Sequence, residues 1–277
     1  MKKHGSMNRA YNLVWNEARG ALMVVAETAR RSGKSSGRAI RTITAAAGAS
    51  LLAVPHAIAA PPSASELPSG GQVRAGQASI SQQGASMDIS QASDRAVINW
   101  DSFSIGQDAS VNFQQNGANA VALNRVVGGD LSAIHGQLNA NGQVFLLNPN
   151  GVVFGAGAQV NVGALVASTL DLSDDDFMAG NYRFVSNGAA GGILNQGEIH
   201  AADGGYVALL SNRVENEGII SARMGSVALA SGEAMTLNLS DNQLLSLQVE
   251  PSSVEGLVAN RQLIEAEGGR VIMTASA

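Results

Sequence analysis

The 277-residue chain contains no cysteine. That excludes a disulfide framework and a thiolate metal site. For a chain that crosses a second membrane unfolded, the absence has a use: no oxidant in the compartment between can lock it. A fold with no need of staples gives the same absence. Aromatic residues are only 4% against 45% apolar. Compact cores normally draw much of their buried area from Phe, Tyr and Trp. Here the apolar residues are Ala, Val, Leu and Ile beside 32 glycines, a mixture suited to a thin core repeated along an axis. Histidine is scarce, and only His135 and His200 lie beyond residue 59. There is no HExxH, no GxSxG and no phosphate loop with lysine. Asp174-Asp175-Asp176 offers at most weak calcium ligation and reads more simply as a solvated turn. No carboxylate pair is singled out for sugar hydrolysis. The sequence therefore points to a protein that is not an enzyme, with no metal and no cofactor.

Positive charge is also unevenly spread. Residues 1–59 hold nine basic and two acidic side chains, whereas the remainder holds eight basic and twenty acidic. An acidic body argues against nucleic acid as a partner, because phosphate neutralisation needs clustered Lys and Arg. The basic leader reads as an address. Thr42 to Ile58 is an apolar run preceded by Arg38 and Arg41 and followed by Ala57-Ile58-Ala59. A basic segment, a short apolar segment and a small-x-small site make a secretory signal, with cleavage expected after Ala59 or, next best, Ala60. Gly48, Pro55 and His56 within the run argue against a permanent span.

Beyond the leader, the strongest signal is a repeat. Asn195, Gly197, Ile199 and Ala201 recur 21 residues later as Asn216, Gly218, Ile220 and Ala222. Asn260, Ile264, Ala266, Gly269, Val271 and Met273 each lie 44 beyond a counterpart, a spacing read as two periods. An earlier copy is Leu138 to Leu146. Each unit alternates Ile-x-Ala and then Val-x-Leu around a glycine bend, which predicts strands with one buried face. A unit of this length is too short for a βαβ crossover and fits one turn of a solenoid of parallel strands. The predicted fold is all-β: a right-handed parallel β-helix with an amino-terminal cap. About ten coils are expected, giving an axis of about 50 Å. The boundaries are 1–59 for the leader, 60–96 for the cap and first strands, and 97–277 for the solenoid. The recurring Asn either stacks its amides up the axis or simply favours turns.

Two stretches carry a family resemblance. Met7 to Lys34, with Asn8, Tyr11, Val14-Trp15-Asn16, Met23 to Glu27 and Arg30 to Lys34, resembles the extended signal peptide region of very large Gram-negative exported proteins. The likeness starts at Met7, so Met1 to Ser6 is read as preceding the true start. The second stretch runs from Val97 to Thr169. It comprises Val97 to Gly106, Ser110 to Phe113, Ala122-Leu123-Asn124-Arg125-Val126-Val127-Gly128-Gly129, Ile134 to Leu138, Gly142 to Gly155, Val160 to Gly163 and Leu165 to Thr169. It resembles the secretion domain of filamentous haemagglutinin and its two-partner secretion relatives. Within it, Asn148-Pro149-Asn150-Gly151 has turn chemistry, with Pro149 presetting φ and Gly151 at the exit. The resemblance implies a role in secretion for Asn148 and Asn150; holding the fold is the alternative. Asn124 and Arg125 are read as a secretion or fold anchor, with the guanidinium on carbonyls or a carboxylate. Trp100 and Phe103 are read as plugging the amino-terminal end.

The resemblance further implies an export route: the inner-membrane Sec translocon, then a TpsB-type outer-membrane barrel transporter acting through its periplasmic modules. The product would be secreted or held at the outer cell surface, in contact with a host or neighbouring cell. The last strand reads as an unfinished coil, which is compatible with a product that continues as a longer surface fibre or adhesin and with a short secreted product that has its own cap. Three functions are compatible: the secretion domain of an adhesin, the leading domain of a contact-dependent growth inhibition toxin, and a polysaccharide-binding β-helix. Mass-spectrometric mapping of the unprocessed precursor is expected to lack any peptide spanning Lys3 to Arg9; such a peptide would place the start at Met1.

Overall fold

The computed structural model describes residues 11–16, 21–26, 61–188, 190–240, 243–251 and 256–275. The apolar run 42–58 and the cleavage positions Ala59 and Ala60 lie outside the described residues. The chain divides into two units, Met1–His56 and Ala57–Ala277. In the first, Tyr11–Asn16 pairs antiparallel with Ala21–Ala26.

The second unit is a parallel β-helix built on three sheets. The first sheet stacks Ser86–Gln91, Ser110–Gln115, Gln137–Ala140, Gln159–Val162, Glu198–Ala201, Ile219–Ala222 and Ile264–Glu265. The second stacks Arg95–Trp100, Val121–Val126, Gln143–Leu147, Ala164–Ser168, Tyr206–Ser211, Ser226–Ser231 and Arg270–Ala275. The third stacks Ser132–Ile134, Val152–Phe154, Ile193–Asn195, Arg213–Asn216 and Leu257–Asn260. The chain visits the sheets in that order on each circuit. At the amino-terminal end, Gln72–Ala75 and Ala78–Gln83 add antiparallel to the first two sheets. They cover edges that would otherwise recruit another strand.

Like residues sit over like residues. Leu138, Val160, Ile199 and Ile220 form one inward column. Val144, Leu165, Val207 and Val227 form another. All eight are buried in one continuous core. Small aliphatics suffice because each fills only the gap between its neighbours about 4.8 Å above and below.

The structure corrects three expectations. First, the 44-residue spacing is one coil: Asn216 pairs with Asn260 directly. The surplus residues are a hairpin, Ala234–Ser240 with Gln243–Val249, that leaves the solenoid and returns. A similar excursion holds the helix Asp174–Ala179 and the strand Tyr182–Val185. Residues spent on these excursions and on the cap leave seven parallel strands in each of the first two sheets, not ten. The axis is correspondingly shorter, about 30 Å.

Second, the corner glycines do not serve mainly through positive φ. A Cβ on Gly163 would lie 2.6 Å from the Gly142 carbonyl oxygen, on Gly205 2.1 Å from that of Gly163, and on Gly225 1.9 Å from that of Gly205. They form a column where successive coils approach too closely for any side chain. The left-handed residues are their neighbours Gly204, Met224 and Gly268, with φ of 80°, 55° and 70°.

Third, the second sheet is buried on both faces. Tyr182–Val185 and the hairpin form an antiparallel sheet, β-paired at Tyr182 and Leu237. With the helix it packs on the solenoid's outer wall. Phe145, Val166, Tyr206, Ala208 and Ala228 point outward and meet Phe177, Tyr182, Phe184, Met235 and Leu237. The Phe145 ring centroid lies 5.4 Å from that of Tyr182 and 5.9 Å from that of Phe177. Tyr206 donates its hydroxyl to Gln143 Oε1 at 2.7 Å, and burial pushes its phenol well above the ordinary value, so it remains a donor. The acid run Asp174-Asp175-Asp176 is the first turn of the helix, with Ser173 Oγ accepting from the Asp176 N–H.

Two stability measurements test these contacts. Met224→Gly should raise unfolding free energy by about 0.5–1 kcal/mol, because it removes the left-handed penalty at an exposed turn; a loss would show that the Met224 side chain contributes packing. Phe145→Ala should cost about 3–5 kcal/mol in urea unfolding; a cost near zero would mean the outer core adds nothing.

Candidate functional site

The tetrapeptide Asn148 to Gly151 forms the corner between the second and third sheets. The Gly151 N–H bonds the Asn148 carbonyl at 3.1 Å, closing a four-residue turn. Gly151 has φ 121°, a value that favours glycine. Asn148 is fully buried. Its Nδ2 donates to the Asp130 carbonyl and to Ser132 Oγ, each at 3.0 Å. Its Oδ1 accepts from the Asn150 backbone N–H at 2.9 Å and from Asn150 Nδ2 at 3.2 Å. Two donations and two acceptances exhaust a side-chain amide. Asn150 is exposed, and its Nδ2 also reaches the Gly128 carbonyl at 3.0 Å.

The corner therefore ties together three successive coils. Asp130, Ser132 and Gly128 belong to the turn of the preceding coil. In the next coil, the Gly192 carbonyl accepts from the Val152 N–H at 3.0 Å. Gly191 lies so close that a Cβ there would meet the Pro149 carbonyl oxygen at 2.3 Å. Of these four, Gly128 entered the sequence reading only within the family match, and Asp130, Ser132 and Gly191 were not singled out. Three of them contribute backbone or no side chain at all, and residue type carries no sign of that.

Asn124 and Arg125, adjacent in one strand, point opposite ways. Asn124 faces the bore, accepts from Trp100 Nε1 at 3.0 Å, and donates to the carbonyls of Ala122 and Phe145, each at 3.3 Å. Arg125 faces outward to the first excursion. Nε bonds Asp171 Oδ1 at 3.1 Å, Nη1 bonds Asp174, and Nη2 bonds the Leu172 carbonyl. A guanidinium thus joins solenoid and helix. Trp100 and Phe103 are buried edge-to-face, centroids 5.4 Å apart, in the first coil. Gly71 beside the cap strand sits against the indole: a Cβ there would be 2.6 Å from it. These residues do not converge with Asn148 into one pocket.

The repeated Asn serves both of the uses open from the sequence. Asn195 Nδ2 donates to Asn216 Oδ1, and Asn216 Nδ2 to Asn260 Oδ1, each at 2.7 Å. Asn195 Oδ1 also accepts from the Gly197 N–H at 3.1 Å, fixing the turn. Phe154 occupies the same column one coil earlier, so the amide ladder starts only at Asn195.

Asn148→Ala should lower stability by about 2–4 kcal/mol, because it leaves buried donors and acceptors unpartnered. Asn150→Ala should cost under about 1.5 kcal/mol, since its site is wet. Equal losses in urea unfolding would contradict the assignment of the internal role to Asn148.

Comparison with known proteins agrees with this architecture. Residues 64–277 match the TPS secretion domain, and residues 7–56 match the Extended Signal Peptide of Type V secretion system. The chain is 42% identical over 213 residues to a heme/hemopexin-binding protein of Haemophilus influenzae strain Rd, covering 74% of this chain and 23% of that protein. A second Haemophilus influenzae heme/hemopexin-binding protein is 36% identical over 212 residues, covering 68% of this chain and 22% of its own length. The chain thus spans about a quarter of these relatives. The crystal structure of the HMW1 secretion domain from Haemophilus influenzae superposes with TM-score 0.69 at 34% identity, covering 74% of this chain and 55% of that one. The leader and the β-helix together mark an exported chain, secreted to the cell surface or beyond it. This chain belongs to the TPS secretion-domain family, and its second unit is a two-partner secretion domain.

Proposed function

We propose that the corner Asn148 to Gly151 acts in export as an internal latch that fixes the order of winding. One observation carries this reading: the Asn148 amide spends all four of its hydrogen bonds within the protein, two of them on the preceding coil. A side chain so committed cannot also bind a partner in the folded state. Its contribution to export is then to hold each new coil on the last. Arg125 plays the matching part on the outer wall, holding the helix against a strand laid down earlier.

The latch operates within a longer route. The Sec translocon delivers the chain to the periplasm, and a TpsB-type barrel in the outer membrane takes it up through periplasmic modules. The chain is extended at that stage, and strand addition to a module's sheet edge is the contact its β-rich sequence favours. Coils then stack outside. Contacts between neighbouring coils are local, so winding proceeds from the capped end and biases transit outward without a nucleotide. The antiparallel cap supports this direction, since it covers the amino-terminal edges of the first two sheets.

A secretion domain exports whatever is joined to it, and that passenger sets the product's activity. We favour a surface adhesin that contacts a host or neighbouring cell. The relatives' printed activity, binding heme and hemopexin, belongs to proteins of which this chain matches less than a quarter. Export should require the cognate barrel gene. The Asn148→Ala/Asn150→Ala double variant should be retained in the periplasm or degraded, with Asn148→Ala alone giving most of the loss; normal secretion of the double variant would refute the latch.

A further inference from the structure

A cleft of about 470 Å³ opens where the excursion sheet meets the edge of the second sheet. Asp94, Arg95, Asn116, Asn119, Tyr182 and Leu239 line it. The volume lies within the range of about 300–1,000 Å³ typical of small-molecule sites. Nothing in the export reading uses it.

Its polar groups are partly unspent. Arg125, Arg183, Arg213, Arg223 and Arg261 each form an ion pair with a carboxylate. Arg95 forms none among the described residues, and its Nε is buried without a hydrogen-bond partner. Arg95 as a whole is half-buried, and neither of its Nη groups is sealed, so these are the donors open to a ligand. The guanidinium lies against Gly180, the residue that ends the helix at φ 81°. A Cβ on Gly180 would approach Arg95 Nη2 to 3.0 Å, so the glycine leaves that end of the cleft open. The Asn119 amide is exposed, and the Tyr182 phenol is not sealed from solvent, while the ring of Tyr182 is packed in the outer core; neither polar group has a hydrogen-bond partner among the described residues. At the other end, the exposed Asp94 accepts through Oδ1 from Asn116 Nδ2 at 2.9 Å, which leaves Asp94 Oδ2 as an acceptor.

These groups define a ligand. The Nη1–Nη2 edge of Arg95 matches an anion with planar, two-oxygen geometry, which is a carboxylate. The Asp94 end repels a second negative charge and wants hydroxyl donors. Between them stand an amide, a phenol and the apolar side chain of Leu239. A compact polyol bearing one carboxylate meets all of these demands. We propose that this cleft binds a carboxylate-bearing sugar of the hexuronic acid type.

The test uses the secreted chain, isotopically labelled, titrated with glucuronate and, separately, with uncharged methyl glucoside. Saturable shifts confined to the amides of Gly117, Asn119 and Gly180 are expected with glucuronate, and binding of the glucoside should be at least about tenfold weaker. Arg95→Gln should weaken glucuronate binding by about ten- to a hundredfold. Tyr182→Phe keeps the ring and its packing and should weaken it by about threefold to tenfold. Unchanged spectra of residues remote from the cleft verify that both variants fold. The proposal is overturned by absence of shifts at millimolar glucuronate, by equal response to glucoside, or by undiminished binding to a folded Arg95→Gln. Shifts at the cleft produced instead by the barrel's periplasmic modules, with none by glucuronate, would also overturn it.

Discussion

In this fold the parallel strands of each coil find their backbone partners on the coils immediately below and above. A parallel solenoid has no turn that closes its sheets, so each strand's unpaired edge is satisfied by the next strand laid on it. Register then decides everything. A slip of one residue would turn Leu138, Val160, Ile199 and Ile220 from the bore to the solvent. The glycine column at one corner and the Asn148 amide at another remove that freedom. Gly225 can sit only where Gly205 leaves room for it, and Asn148 Nδ2 reaches its two acceptors only when the preceding turn is in place.

The outer core answers a different need. A bore of Val, Ile, Leu and Ala is thin, and its contacts fall between neighbours. The excursions bring long-range packing to one wall: Phe177, Phe184 and Met235 on Phe145, Tyr206 and Ala228. Much of the scarce aromatic content is concentrated there. Trp100 and Phe103 close the first coil under the cap, and Phe113 and Phe154 fill the bore. Arg125 joins this layer to the solenoid by directed contacts, and the Tyr206–Gln143 bond ties two strands of the second sheet across the strand between them. The exposed Arg183–Glu250 pair holds the rim of the excursion sheet and keeps the Glu250 carboxyl below its ordinary value. That small contribution is present at neutral pH and fades as acid protonates Glu250.

Much of this was legible because a solenoid repeats its physics in its sequence. Asn195 and Asn216, or Val207 and Val227, are spaced by one circuit, and the circuit is visible as a period. The turn at Asn148 was visible through Pro149 and Gly151. The excursions were hidden because their pairing is antiparallel and distant: Tyr182 meets Leu237 across an intervening coil. That led a single coil of 44 residues to be read as two. A signal was present, though. Tyr206–Ser211 and Ser226–Ser231 carry apolar residues at outward as well as inward positions, which a strand with one wet face would not tolerate. The partners of Asn148 were illegible for another reason. Asp130 and Gly128 act through carbonyl oxygens, which every residue has.

Export by stepwise winding requires the chain to cross the outer membrane unwound and to stack only afterwards. Asn139 and Asn161 are register partners on adjacent coils, at the separation a disulfide requires. In a chain without cysteine, the Asn139→Cys/Asn161→Cys variant places one cross-link where no other can form. External protein should fall sharply in cells whose periplasm oxidises thiols and recover in cells that lack that oxidation. Equal external amounts in the two, with the cross-link formed inside, would show that folded or looped coils pass through the barrel and would contradict this order of events.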